Sequence, residues 1–381
     1  MGEITRRRFV EAGALASAAA ALARSADAAT PAPAAAGVDM TGDGPELSPA
    51  EYAALLARLV AEGSFEPDEY GLGGAADALE KHFATLLGKE RALFFPTGTL
   101  ANHVAIRTLA GTRRRVVLQD VSHVYNDTGD SAQSLSGLTL VPLAPGRATF
   151  TWDDVQKVLD RTASGRVRSD VGVISIESPV RRLHGELFDL AHMKAIAQQA
   201  RSRGIRLHLD GARLFIASAY TGIAPADYAA PFDTVYVSLW KYFGAPNGAI
   251  LAGPADVMEG LFHVRRAFGG ALWSVWPFAA VARHLSDGFL DRLRRGIDVS
   301  HALLSALPGD PRFVIERVPS GTNVFGLRLR GGDPAVFRRA LREQRIELPS
   351  ANADGLFFPK VNETWARRTG PELAEAFRSA K

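Results

Sequence analysis

Seven short apolar runs, with helix-like stretches between several of them, constrain this chain more than any other feature. They are "ALFF" (92–95), "RVVLQD" (115–120), "LTLVPL" (138–143), "VGVISIES" (171–178), "IRLHLD" (205–210), "DTVYVS" (233–238) and "GAILAG" (248–253). Strands this apolar are buried on both faces, and their alternation with segments such as "DLAHMKAIAQQARSRG" (189–204) predicts a mainly parallel sheet with helices on both sides, an α/β fold. Two helices are expected before the first strand. "SPAEYAALLARLVAEG" (48–63) opens on a Ser cap with a Glu three residues on, and "AADALEKHFATLLG" (75–88) repeats its apolar spacing. From about Pro254 the texture changes to long helical patterns over 256–268 and 277–307, strand-like pieces at 312–318 and 323–330, and helices near 334–344 and 370–380. The expected division is a large domain over 38–260 and a smaller α+β domain over 261–381.

The N-terminus carries a different message. Arg6-Arg7-Arg8-Phe9 precedes an Ala-rich, mildly apolar stretch that ends in Ala26-Asp27-Ala28. This has the layout of a twin-arginine export signal over 1–28, followed by a Pro/Ala linker over 29–37. The expectation is a periplasmic protein carried by the twin-arginine machinery. An Ala-rich surface helix is the plainer alternative. Net charge is +3 with Lys and Arg spread along the chain, so no nucleic-acid partner is expected. The chain has no cysteine, which removes disulfides, thiolate catalysis and cysteine zinc sites together.

Ligands of open parallel sheets sit outside the carboxyl ends of the strands. Asp210 and Glu177 close two of the expected strands, and Lys241 and His123 lie just past two others. Three features there suit pyridoxal phosphate. "FPTGTLANHVAIRTLAG" places Gly98 and Thr99, with Thr97, where a helix would start, and free N–H groups at a helix start favour a phosphate. Thr99 could equally be a plain cap. "HLDGARLF" places Asp210 where a carboxylate could keep a pyridine nitrogen protonated. It could instead pair with Arg213, or His208 and Asp210 could share a metal, although no third ligand is evident nearby in the sequence. "SLWKYFGAPNGAILAG" places Lys241 just past a strand, where a partly desolvated amine could form a Schiff base, unless it is an exposed loop lysine.

With "LEKHFATLLGKERALFFPTGTLANHVAI", "HLDGARLF", "SLWKYFGAPNGAILAG" and "RRAFGG" in this order, the chain resembles the threonine aldolases, within the fold-type I pyridoxal phosphate enzymes. The resemblance runs from about Tyr70 to Ala280. It implies Lys241 as the Schiff-base lysine, Asp210 against the pyridine nitrogen and Arg213 on the cofactor or substrate side. It also implies Gly98, Thr99 and Thr97 around the phosphate, and His123 stacked on the ring and able to move a proton. Glu177 falls at the cofactor edge, and Arg265, before Gly269-Gly270, near the phosphate, with a neighbouring subunit as its possible source. Ser238 would donate to the phosphate or simply end a strand. The implied reaction is cleavage of the Cα–Cβ bond of a β-hydroxy-α-amino acid to glycine and an aldehyde, by a homodimer or homotetramer. Other chemistry on the same cofactor (β-elimination, racemisation, transamination) and a non-catalytic binding role are the alternatives.

The substrate half departs from the family. The family's opening Arg-Ser-Asp stretch corresponds to "VDMTGDGPEL" (38–47), without the Arg or the Ser. The stretch expected to supply a carboxylate-clamping Arg has Lys360 and no Arg before Arg367. A second family histidine would fall near Val167, where there is none. The surrounding aromatics, among them Trp240, Phe243, Phe357 and Trp365, suit either a bulky apolar substrate or a core.

Overall fold

The computed structural model describes residues 37–63 and 65–380. The proposed export signal and linker lie outside the described residues. All seven apolar runs form strands of one sheet: β1 (Arg91–Phe95), β2 (Arg115–Gln119), β3 (Thr139–Leu143), β4 (Val171–Glu177), β5 (Arg206–Asp210), β6 (Thr234–Ser238) and β7 (Ala249–Gly253). Their spatial order is β1-β7-β6-β5-β4-β2-β3. All neighbours are parallel except β7, which runs antiparallel to both β1 and β6. Every residue of β4, β6 and β7 is buried, as expected of strands covered on both faces.

Helix α1 (Pro49–Ala61) starts on Ser48, whose hydroxyl and Glu51 carboxylate form the reciprocal cap expected of that spacing. Helices α2 (Gly74–Leu86), α3 (Gly98–Ala110) and α4 (Leu190–Ser202) follow at the expected places. Both long C-terminal helices of the sequence reading are broken. The first divides into Ala255–Met258 and Leu261–Ala267 at Gly260, with φ of 75°. The second divides into Trp276–Ser286 and Phe289–Ala306 at Gly288, with φ of 65°. A positive φ cannot continue a right-handed helix, and glycine adopts it without the Cβ clash.

The strand-like C-terminal pieces form a three-stranded antiparallel sheet, β8 (Phe313–Arg317), β9 (Phe325–Leu329) and β10 (Leu356–Phe357), with β9 central. One small pairing is absent from the sequence reading. Val38–Asp39 runs parallel to Ile346–Glu347. Asn362 then donates to the carbonyls of Asp39 and Gly42, and the Lys360 amide donates to Met40. The stretch that opens the described chain is thus fastened to its far end, which sets the position of Asp43.

Candidate functional site

The carboxyl ends of β4, β5 and β6 lie side by side, with Glu177 and Asp210 opposite one another in register. Asp210 is buried. One of its oxygens accepts from Asn102 Nδ2 at 2.7 Å and the other from the Ala212 amide at 3.2 Å. It does not pair with Arg213. That guanidinium donates through Nε to Asp43 at 2.8 Å, with its terminal nitrogen also 2.8 Å from the same oxygen. Burial opposes ionisation of Asp43, but Arg213 and then Lys360 hold its pKa below the ordinary carboxylate value.

Lys241 follows β6 by three residues. Its neighbours Tyr242 and Phe243 are fully buried and pack with Phe215 and Phe289, with Phe243 5.0 Å from Phe289 and 5.2 Å from Phe215. These anchors fix the backbone under a half-buried amine. Burial and then Arg213 push the Lys241 amine down to about 8, against the pull of Asp210, Asp43 and Glu177. Trp240 is 54% exposed and presents its ring 4.9 Å from Lys241 Nζ.

Glu177 is buried and accepts from the amides of His123 at 2.6 Å and Arg181 at 2.8 Å, so it fastens two loops to the end of β4. Burial and then Asp210 push its pKa up. His123 Nδ1 lies 3.3 Å from Asp127, which Arg181 and Arg182 grip at 2.7 and 2.6 Å. Although burial opposes it, hydrogen bonds from those two arginines hold Asp127 ionised. Asp127 is therefore an acceptor, and Nδ1 carries the hydrogen between them.

Helix α3 is capped by Thr97, whose hydroxyl accepts from the Leu100 amide at 3.2 Å; Thr99 lies inside the first turn and is not the cap. The first-turn N–H groups of Gly98 and Thr99 have no intrahelical partner. Gly98 packs against β6, and a Cβ there would overlap the ring and hydroxyl of Tyr236. Ser238, at the end of β6, has a buried hydroxyl that lies beside the Tyr236 phenol and makes no well-formed hydrogen bond. Arg265 is buried, with its terminal nitrogens committed to the carbonyls of Phe94 and Tyr70. The guanidinium therefore braces the strand before Thr97 and is not on a solvated helix face.

These groups fit pyridoxal phosphate. A buried hydroxyl and free helix amides suit its phosphate, a buried carboxylate suits its ring nitrogen, and an amine of lowered pKa suits its carbonyl. A metal has no such place. Both ring nitrogens of His208 are taken, by Thr234 and Asn102, and among the described residues no group of three His, Asp or Glu side chains could hold one.

A cavity of about 570 Å³ opens beside Lys241, walled by Asp43, Leu47, Tyr52, Arg213, Trp240 and Lys360. A second, of about 250 Å³, shares Asp43, Arg213 and Lys360 and adds Arg181, His184 and Phe358. His184 lies flat on Phe358, with ring centroids 3.9 Å apart. Val167 is 81% exposed. Phe243, Phe357 and Trp365 are core, whereas Trp240 lines the site. The sequence reading passed over Asp43, Asn102, Asp127 and His184. Asn102 stands four residues after Gly98 on the same helix face, a spacing that does not by itself set it apart from other helix polar residues.

This sheet, with a lysine and an aspartate at its carboxyl ends and an anion-receptive helix start beside them, defines a fold-type I pyridoxal phosphate enzyme. Comparison with known proteins narrows the class. The profile of the family described as beta-eliminating lyase matches residues 52–325, and the chain belongs to that family. A low-specificity L-threonine aldolase of Candida albicans is 31% identical over 218 residues, 56% of this chain and 58% of that one, so the match spans little over half of that relative. A low specificity L-threonine aldolase of Saccharomyces cerevisiae is 26% identical over 84% of this chain and 82% of its own. Among solved structures, a putative L-allo-threonine aldolase of Listeria monocytogenes superposes with a TM-score of 0.74 and 26% identity, over 90% of this chain and 95% of that one.

Proposed function

We propose that this protein is a lyase that cleaves the Cα–Cβ bond of a threonine-like β-hydroxy-α-amino acid, giving glycine and an aldehyde. The observation that carries the reading is the meeting of Lys241, Asp210 and Arg213 at one sheet end, beside a cavity lined by Lys360. The names of the relatives above support the same substrate class.

When bound, pyridoxal phosphate supplies an electron sink conjugated to the substrate nitrogen. Lys241 would hold it. With an amine pKa of about 8, about one lysine in ten is neutral and nucleophilic at pH 7. Asp210 would keep the ring nitrogen protonated. The amides of Gly98 and Thr99, the Thr97 side and the Ser238 hydroxyl would hold the phosphate. Arg213 and Lys360 would bind the substrate carboxylate, with Asp43 cancelling one of their two charges. Of these three groups, one positive charge is thereby left over for one carboxylate. Two histidines are the candidate acceptors of the hydroxyl proton, His184 on the wall of the second cavity and His123, whose amide is bonded to Glu177.

The test uses purified protein with its cofactor, L-threonine and L-allo-threonine, with Lys241→Ala as the blank. Lysine-dependent glycine is expected. Protein that shows the visible cofactor band yet releases no glycine from either substrate would sink the reading.

We further infer export to the periplasm by the twin-arginine route and assembly as a homo-oligomer. The Arg6-Arg7-Arg8 stretch and the small-residue segment after it support the first. The resemblance to the threonine aldolases supports the second. Cell fractionation of the full chain beside an Arg6→Lys, Arg7→Lys variant tests export, and light scattering tests assembly. A cytoplasmic wild type, or a monomer, would overturn them respectively.

A further inference from the structure

His208 is fully buried in β5, two residues before Asp210 and on the same face of the strand. Its Nδ1 lies 2.8 Å from Thr234 Oγ1 and its Nε2 lies 2.9 Å from Asn102 Oδ1. Asn102, also buried, donates through Nδ2 to Asp210 Oδ2 at 2.7 Å. With the ring neutral, as its full burial favours, the hydrogens of this chain can be placed in one way. The Asp210 carboxylate accepts, so the Asn102 group facing it is the NH₂. The amide oxygen of Asn102 then faces His208, so Nε2 of that ring carries the hydrogen. In the neutral ring Nδ1 is then an acceptor, and the Thr234 hydroxyl donates to it. Every member is satisfied, and the ring is neutral. Burial, opposed by Asp210, pushes its pKa down to about 4, in keeping with that state.

We infer that His208 and Asn102 are positioning residues, which act through Asp210 to fix the carboxylate that meets the cofactor's ring nitrogen. A core with no other task would be filled more cheaply by apolar side chains, because each buried polar group must recover its lost hydration. Here the polar chain runs from β6 through β5 to α3 and ends on the carboxylate of interest. A neutral ring with both nitrogens assigned stops the Asn102 amide from turning over. One oxygen of Asp210 is then permanently occupied by a donor, which fixes the orientation of the carboxylate. The other oxygen, with only the Ala212 amide at 3.2 Å, keeps lone-pair capacity for a ligand. The inference rests on the cofactor assignment and on no choice of reaction.

The test titrates apoprotein with pyridoxal phosphate and then follows the visible band of the bound cofactor against pH. His208→Phe keeps the ring volume and removes both hydrogen bonds. It should raise the cofactor dissociation constant by about tenfold to a hundredfold, the worth of an ordered bond to a charged group, and shift the midpoint of the pH titration. Thr234→Val, a milder change that leaves Nδ1 without its donor, should move both readouts the same way by less, and it serves if His208→Phe does not fold. His208→Gln, which can still offer an N–H to Asn102, should recover part of the loss. The other ionisable groups in electrostatic reach of Asp210, namely Glu177, Tyr236 and Lys241, stay unchanged in all three variants. Folded variants that bind the cofactor with the wild-type constant and titrate at the wild-type midpoint would overturn the inference. Wild-type protein that binds no cofactor would overturn it together with the cofactor assignment. Wild-type protein that binds the cofactor and releases no glycine would overturn the reaction alone.

Discussion

Asp43→Asn isolates the energetic cost of rebuilding the substrate side. Asp43 and Arg213 are both buried, with side chains 5% and 11% exposed, so solvent screens little of their attraction. Asparagine keeps the shape and removes the charge. Its NH₂ must then face either the arginine or the Asn323 amide, which now donates to Asp43 at 3.2 Å, and either choice sets donor against donor. Removing one member of a buried pair costs about 3 kcal/mol at the lower end of measured cases. The compact unit Val38–Lys381 has an unfolding entropy near 0.7 kcal/mol per kelvin, so that loss lowers the melting temperature by about 4 °C. The pH dependence has a definite sign. The folded-state pKa of Asp43 lies below its ordinary value, so its contribution is complete above that value and is lost as pH falls through the folded one. Calorimetry of the apoprotein should show the full difference between wild type and variant at pH 7 and a shrinking difference below about pH 4. A difference under about 1 °C at pH 7 would refute the claim that this ion pair holds the site together.

Three other substitutions probe separate parts of the site. Gly98→Ala forces a methyl into Tyr236 and should cost about 1–3 kcal/mol of stability in a melting experiment, with weaker cofactor binding in titration. Lys360→Ala should raise KM for the amino acid about tenfold with little change in kcat, and should leave binding of the corresponding amino acid amide unchanged. Glu177 has a raised pKa, so its contribution to stability is complete below the ordinary value and lost as pH rises. Glu177→Gln should therefore show a smaller fall in melting temperature between pH 5 and pH 8 than wild type, and an equal fall would discount the burial of that carboxyl.

The large sheet was readable because each strand is a short apolar run, and a buried parallel strand has no other way to look. Lys241 and Asp210 were readable for a related reason, since an ionisable residue at the end of such a run stands out. Their supports were not. Asn102 is an ordinary polar residue inside a helix until β5 lies beneath it. Asp43 sits in a Gly-rich stretch with no periodicity, and its partner Arg213 is 170 positions away. The breaks at Gly260 and Gly288 were missed because the apolar spacing continues through them, and only the backbone sign reveals the turn. His184 was passed over because its neighbours in sequence say nothing of Phe358, on which it lies.

The pairing of Val38–Asp39 with Ile346–Glu347 has a consequence for biosynthesis. The segment bearing Asp43 is made before Arg213 and Tyr242, against which it packs, and its remaining bonds wait for the strand at 346–347 and the stretch around Asn362. The sheet that carries Lys241 and Asp210 can assemble from the emerging chain, whereas the strand and the Asn362 side chain that fasten the Asp43 segment come only with residues 346–362. Full order at the substrate side therefore reports that synthesis has passed residue 362. A prematurely terminated product would keep the lysine and lose the arrangement that gives it a substrate.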